Sequence, residues 1–174
     1  MLDALTVLDE AGRLLLHQSF GENSYHVTLP SLAGGAQNWA AEASEGLKPI
    51  SVIVHQLKRI AREFPESGCH VRWTRAFGDD YSFAVTNGLV FVLRWSTGAG
   101  EALDVADQLE VAWQVGRAFV ETCLVRRGPG DEAPVEVDAD AAVVFADFVA
   151  DVLAHHYLER VASALTFRPP VARR

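Results

Sequence analysis

Tyr81-Ser82-Phe83-Ala84-Val85-Thr86-Asn87-Gly88-Leu89-Val90-Phe91-Val92-Leu93-Arg94-Trp95 is the stretch whose reading decides the fold. Asn87-Gly88 is the strongest short hairpin signal, because a two-residue turn needs left-handed backbone that these two residues tolerate. The flanking runs are β-branched and aromatic, as strands prefer. A two-residue turn also fixes the register. Thr86 opposes Leu89, Val85 opposes Val90, Ala84 opposes Phe91 and Phe83 opposes Val92. One face then carries Phe83, Val85, Val90 and Val92. The other carries Ala84, Leu89, Phe91, Leu93 and Trp95. Both are apolar, so the pattern predicts a sheet covered on both sides.

Upstream, Val71–Phe77 alternates as a third strand, with Gly78-Asp79-Asp80 read as the turn into Tyr81. Before it lies the clearest helix. Ile50, Ile53, Val54, Leu57, Ile60, Ala61 and Phe64 follow i, i+3, i+4, i+7 spacing, with Pro49 at a tolerated first-turn position and Pro65 ending the run. The opposite helix face carries His55, Lys58, Arg59, Arg62 and Glu63. At the N-terminus, Ala4–Leu8 and Arg13–Phe20 flank Asp9-Glu10-Ala11-Gly12 and predict another antiparallel hairpin. Between them, Tyr25–Leu29 allows a small strand. Residues 31–46 read mostly as loop, with a short helix allowed at Gln37–Ser44.

Downstream, Gly98-Ala99-Gly100 breaks the last strand. A long helix follows from near Ala102, with Val105, Leu109, Ala112, Trp113, Gly116, Phe119, Val120 and Cys123 as its apolar stripe. Asp131–Asp140 holds five acids and no base, which marks a solvated connection. A last helix runs from about Ala141 to Leu165. The expected fold class is α+β, an antiparallel five-stranded sheet between one helix and two helices. Residues 1–167 form a single domain and 168–174 a tail or the start of a linker.

Composition narrows the function. The 174 residues carry 15 basic and 23 acidic side chains, a net charge of −8. An acidic domain is a poor binder of nucleic-acid backbone, so no direct nucleic-acid partner is expected. The uninterrupted apolar runs are far shorter than the ~20 residues that cross a bilayer. Met1-Leu2-Asp3 has no basic n-region, and no signal peptide is read. Two cysteines make no disulfide framework and fit a reducing compartment.

Catalytic motifs are missing from the chain: it has no phosphate-binding Gly-rich loop, G-x-S-x-G, C-x-x-C or H-E-x-x-H. Asp151 and His155 share a helix face, but His155 and His156 point about 100° apart, which argues for a surface pair over a metal site. Asp79-Asp80 reads as turn chemistry. Cys69 and His70, adjacent on a strand, face opposite sides and do not make a nucleophile and base. Trp73, Trp95 and Trp113 read as core, while Trp39 is left open. The feature with a binding character is the basic helix face of His55, Lys58, Arg59 and Arg62.

The order strand, strand, helix, three strands, helix, helix resembles the longin fold of trafficking adaptors, SNAREs and tethers. It is most similar to the N-terminal domain of the signal recognition particle receptor alpha subunit. The likeness rests on the opening strand pair Met1–Leu8 and Gly12–Leu16, Pro49-Ile50-Ser51 before the first helix, Tyr81–Leu93 leading into Asp104–Val125, and the aromatic-acidic rhythm of Phe145–Leu153. It covers residues 1–20 and 50–165. It implies a non-enzymatic protein-interaction domain without cofactor, catalytic residue or metal. The implied partner is a membrane-anchored small GTPase like the receptor beta subunit, met through His55, Lys58, Arg59 and Arg62 in co-translational protein targeting. Residence would be cytoplasmic, peripheral on the endoplasmic reticulum membrane through that partner. One alternative is a subunit of a vesicle-trafficking adaptor, tether or SNARE. Another is a small ligand-binding protein or enzyme with a pocket near Trp39 and residues 21–48.

Overall fold

The computed structural model describes residues 1–20, 25–28, 47–63, 68–96, 103–125 and 135–166. The elements run β1 (Leu2–Leu8), β2 (Leu14–Phe20), β3 (Tyr25–Thr28), a 3-10 turn (Lys48–Ile50), α1 (Ser51–Glu63), β4 (His70–Ala76), β5 (Asp79–Thr86), β6 (Leu89–Trp95), α2 (Val105–Thr122) and α3 (Ala139–Thr166). The five expected strands form an antiparallel sheet, and β3 extends it past β2 in the order β3-β2-β1-β6-β5-β4. Gln37–Ser44, Trp39, Phe64 and the 168–174 tail lie outside the described residues.

The β5–β6 hairpin has the expected register, from Thr86 opposite Leu89 to Phe83 opposite Val92. Its two faces separate as the pattern requires. On one, Phe83, Val85, Val90 and Val92 pack with Leu8 and Tyr81 under Ile50, Val54, Leu57 and Ala61 of the α1 segment. On the other, Ala84, Leu89, Phe91, Leu93 and Trp95 pack under α2 and α3. Phe91, Phe119 and Phe145 form an edge-to-face chain through this second layer, with ring centroids 5.4 and 5.2 Å apart. Such geometry favours aromatic quadrupoles beyond simple area burial.

Three sequence readings need correction. The β4–β5 turn is Phe77-Gly78, with φ +54° and +93°, and not Gly78-Asp79-Asp80. Asp79 already pairs with Ala76, so the two carboxylates begin a strand. Positive φ at both central residues gives the tight primed turn that matches strand twist, and the shorter loop wins.

The stripe of α2 is also rotated from the expected one. Gln108, Val111, Ala112, Val115, Gly116 and Phe119 are its buried residues, while Val105 is 41% exposed and Trp113 is half-buried. A buried glutamine pulls the face round, because its amide finds partners: Trp73 Nε1 donates to Gln108 Oε1 at 3.1 Å, and Gln108 Nε2 donates to Leu103 O at 2.9 Å. Gly116 lets α2 approach closely, since a Cβ there would stand 3.0 Å from the Ala84 Cβ.

Finally, His155 and His156 are not a surface pair. His155 is exposed and 3.2 Å from Glu159, whereas His156 is buried, 3.6 Å from Asp107 on α2.

Helix α3 is apolar on more than its buried face. Ala139–Glu159 has a mean hydropathy of 1.4 over a length that would cross a bilayer, which counting uninterrupted apolar runs does not reveal. In this fold Ala142, Phe145, Val149 and Val152 join the core, and Val143, Val144 and Leu158 face outward.

Candidate functional site

The β1–β2 turn and the outer face of α1 meet along one side of the molecule. The turn is tightly built. Asp9 is buried and accepts from the Arg13 backbone N at 2.7 Å and from Arg13 Nε at 2.5 Å, while Gly12 N donates to Asp9 O at 2.9 Å. Gly12 has φ +84°, a left-handed conformation that glycine adopts without steric penalty.

Two of the four predicted basic residues reach this turn. The Lys58 ammonium lies where a Cβ on residue 12 would stand. Arg62 Nη2 donates to the Glu10 carbonyl at 3.1 Å. Arg59 is exposed and lies 3.5 Å from Glu63, one helical turn along. Such an exposed i, i+4 pair contributes little, so the Arg59 charge is available to a partner. His55 is exposed on the same face. Positions 55, 58, 59 and 62 recur at helical spacing, so one surface can touch all of them.

Between the turn and the start of α1 lies a cavity of about 350 Å³. Leu8, Leu14 and Val54 give it apolar walls, and Lys48 and Lys58 supply its cations beside the His55 imidazole. Its size is near the lower end of ordinary ligand pockets. The sequence pointed to His55 and Lys58 but not to the cavity. Gly12 and Leu14 come from the hairpin across from the helix, and nothing local in their sequence signals that they face it.

The other candidates fall elsewhere. Cys69 is half-buried, and burial pushes its thiol up despite the nearby Arg117 charge. It lines a second cavity, of about 420 Å³, with Trp113 and Arg117, whose guanidinium sits 5.0 Å from the Trp113 ring centroid. A raised thiol pKa means less thiolate, the opposite of an activated nucleophile. Cys123 is fully buried, and burial raises its thiol also.

Asp80 is buried and bound by Arg75 through two contacts of 2.7 and 3.2 Å. The Arg75 hydrogen bond holds its carboxyl below the usual range, opposed by its own burial and helped by a 3.4 Å contact from Gln108. With Trp73, this is a structural network tying β4, β5 and α2. Among the described residues no group of three or more His, Cys, Asp or Glu is gathered as a metal site.

No protein-family model, no curated protein and no solved structure matches this chain.

Proposed function

We propose that the protein is an interaction domain that docks on a membrane-anchored small GTPase through the outer face of α1 and the adjoining β1–β2 turn. The observation that carries this reading is the gathering of the cations Lys48, Lys58, Arg59 and Arg62, with His55 among them, on one side of a chain with net charge −8. Concentrated charge of one sign steers encounter and fixes orientation more than it sets affinity. The longin-like reading is supported by the sandwich of one helix and two helices around the antiparallel sheet, the arrangement that the resemblance implies. In that reading the partner resembles the beta subunit of the signal recognition particle receptor in its GTP-bound state. The domain would then sit at the endoplasmic reticulum surface through its partner.

The test is binding to membrane-anchored small GTPases, each loaded with GTP or GDP. The expected result is GTP-dependent binding that weakens at high salt and falls about tenfold or more in the Arg59→Glu/Arg62→Glu double variant. Circular dichroism of the variant controls for the fold, because Arg62 also anchors Glu10. Unchanged affinity with an intact fold moves the interface away from α1. No affinity for any small GTPase, with coat or tether subunits copurifying instead, favours the adaptor reading.

A further inference from the structure

Two turns in the β4–β5–β6 meander have positive φ at both central residues and differ in sequence. Asn87-Gly88 has φ +49° and +74°, and Phe77-Gly78 has φ +54° and +93°. Asparagine suits the first position, whereas a bulky residue with positive φ is an outlier. Phe77 is also 84% exposed, so its ring recovers nothing by burial inside the fold. One residue thus breaks both the conformational and the burial preference, the pattern expected where strain serves function. Beside it stands Asp79, whose neighbour Asp80 is already engaged by Arg75. The hairpin tip therefore presents an aromatic ring next to a carboxylate.

At the far end of the sheet lies a complement to that tip. Leu8 pairs with Val90, while Leu2 and Asp80 both pair with Trp95. The β1–β2 turn and the Phe77 tip are therefore at opposite ends, roughly 25 Å apart along the strands. Phe77 cannot reach the cavity of its own chain. That cavity has Leu8, Leu14 and Val54 for an aromatic ring, and the Lys58 ammonium beside the His55 imidazole for a carboxylate.

We infer that this chain associates head to tail, with Phe77 of one copy seated in the α1-side cavity of a second copy and Asp79 facing its His55 and Lys58. The local charges are complementary, Asp79 on one copy against Lys58 on the other, whereas an anionic lipid surface would repel Asp79. A head-to-tail contact is heterologous, and where its rotation does not close it builds short open chains. A single anchor buries far less than the ~1,200 Å² of a stable interface, so assembly is transient and rises with concentration. It uses His55 and Lys58, so a GTPase docked there excludes the second copy. The test needs only the purified chain, and it stands or falls apart from the GTPase reading.

Analytical ultracentrifugation of the purified chain from about 10 μM to about 1 mM covers the range of such weak contacts. The weight-average mass should climb above the 19.0 kDa monomer as concentration rises. Phe77→Asn should stay monomeric and melt about 2–4 °C higher, since the turn strain is relieved. His55→Glu should also stay monomeric, with its melting point unchanged. An equimolar mixture of the two variants should give dimers and nothing larger, because one supplies the cavity and the other the ring. A wild-type chain that remains at monomer mass at the top concentration overturns the inference. So does association that survives Phe77→Asn, and so does a fall in that variant's melting point, which would make the ring a support of the fold.

Discussion

The two faces of the sheet are closed by different means. Under α1 the buried layer is almost wholly apolar, made by one thirteen-residue helix against Leu8, Tyr81, Phe83, Val85, Val90 and Val92. Under α2 and α3 the layer is thicker. It includes the Phe91–Phe119–Phe145 chain together with buried polar groups, among them Gln108, Asp80, and Ser82, which accepts from Trp95 Nε1 at 2.8 Å. Among the described residues one helix packs on the α1 side, and a concavity lies beside it at the β1–β2 turn. Two helices cover more of the sheet, and satisfied polar bonds fix how they sit.

The strongest way to break this contrast is to remove one core side chain from each face. Phe119→Ala should cost about 3–5 kcal/mol and Leu57→Ala about 2–4 kcal/mol, read by denaturant unfolding. A greater loss at Leu57 would make the thin face the dominant one.

Asp80→Ala should cost about 1–3 kcal/mol, because it removes the acceptor for Arg75 and one for Gln108. Arg75 is largely exposed and regains water, which keeps the loss in that range. Its pH dependence has a definite sign. The folded pKa of Asp80 lies below its unfolded value of about 3.9. The contribution is therefore present above that value and is lost as pH falls through the folded one. The stability gap between wild type and Asp80→Asn should narrow on acidification below about pH 4. A constant gap would show that the pair contributes through packing alone.

Gly12→Ala tests the turn that walls the α1-side cavity. Left-handed backbone and the overlap with Lys58 should together cost about 1–2 kcal/mol. The thermal midpoint should fall, with the secondary structure retained. The smallest effect is expected for Trp113→Ala, about 1 kcal/mol, since that ring is half-buried beneath Arg117. A loss as large as that of Phe119→Ala would restore Trp113 to the core.

Several elements were legible from residue pattern. Asn87-Gly88 set a register that every pair from Thr86 and Leu89 onward obeys, because a two-residue turn leaves no slack. The α1 stripe was legible because Ile50, Val54, Leu57 and Ala61 repeat at helical spacing without a buried polar residue among them. The α2 stripe was misread for the converse reason. Gln108 looks solvent-facing in any hydropathy count, and only its neighbours Trp73, Asp80 and Leu103 make its burial tolerable. The Phe77-Gly78 turn was missed because phenylalanine is a strand former, and its left-handed backbone cannot be read from its type.

For the candidate site, the basic face of His55, Lys58, Arg59 and Arg62 follows from helical spacing alone, since periodicity is a local property of the chain. The separate uses of those residues do not. That Lys58 and Arg62 reach the β1–β2 turn and that His55 borders a cavity depend on where a distant hairpin meets the helix. The sequence by itself determined the β5–β6 register, the α1 face and the two-sided burial, because these follow from side-chain period and turn chemistry over a few residues. Only the tertiary structure decided the cavity and the Asp80 network. Each joins side chains tens of residues apart, and their meeting depends on how the layers stack.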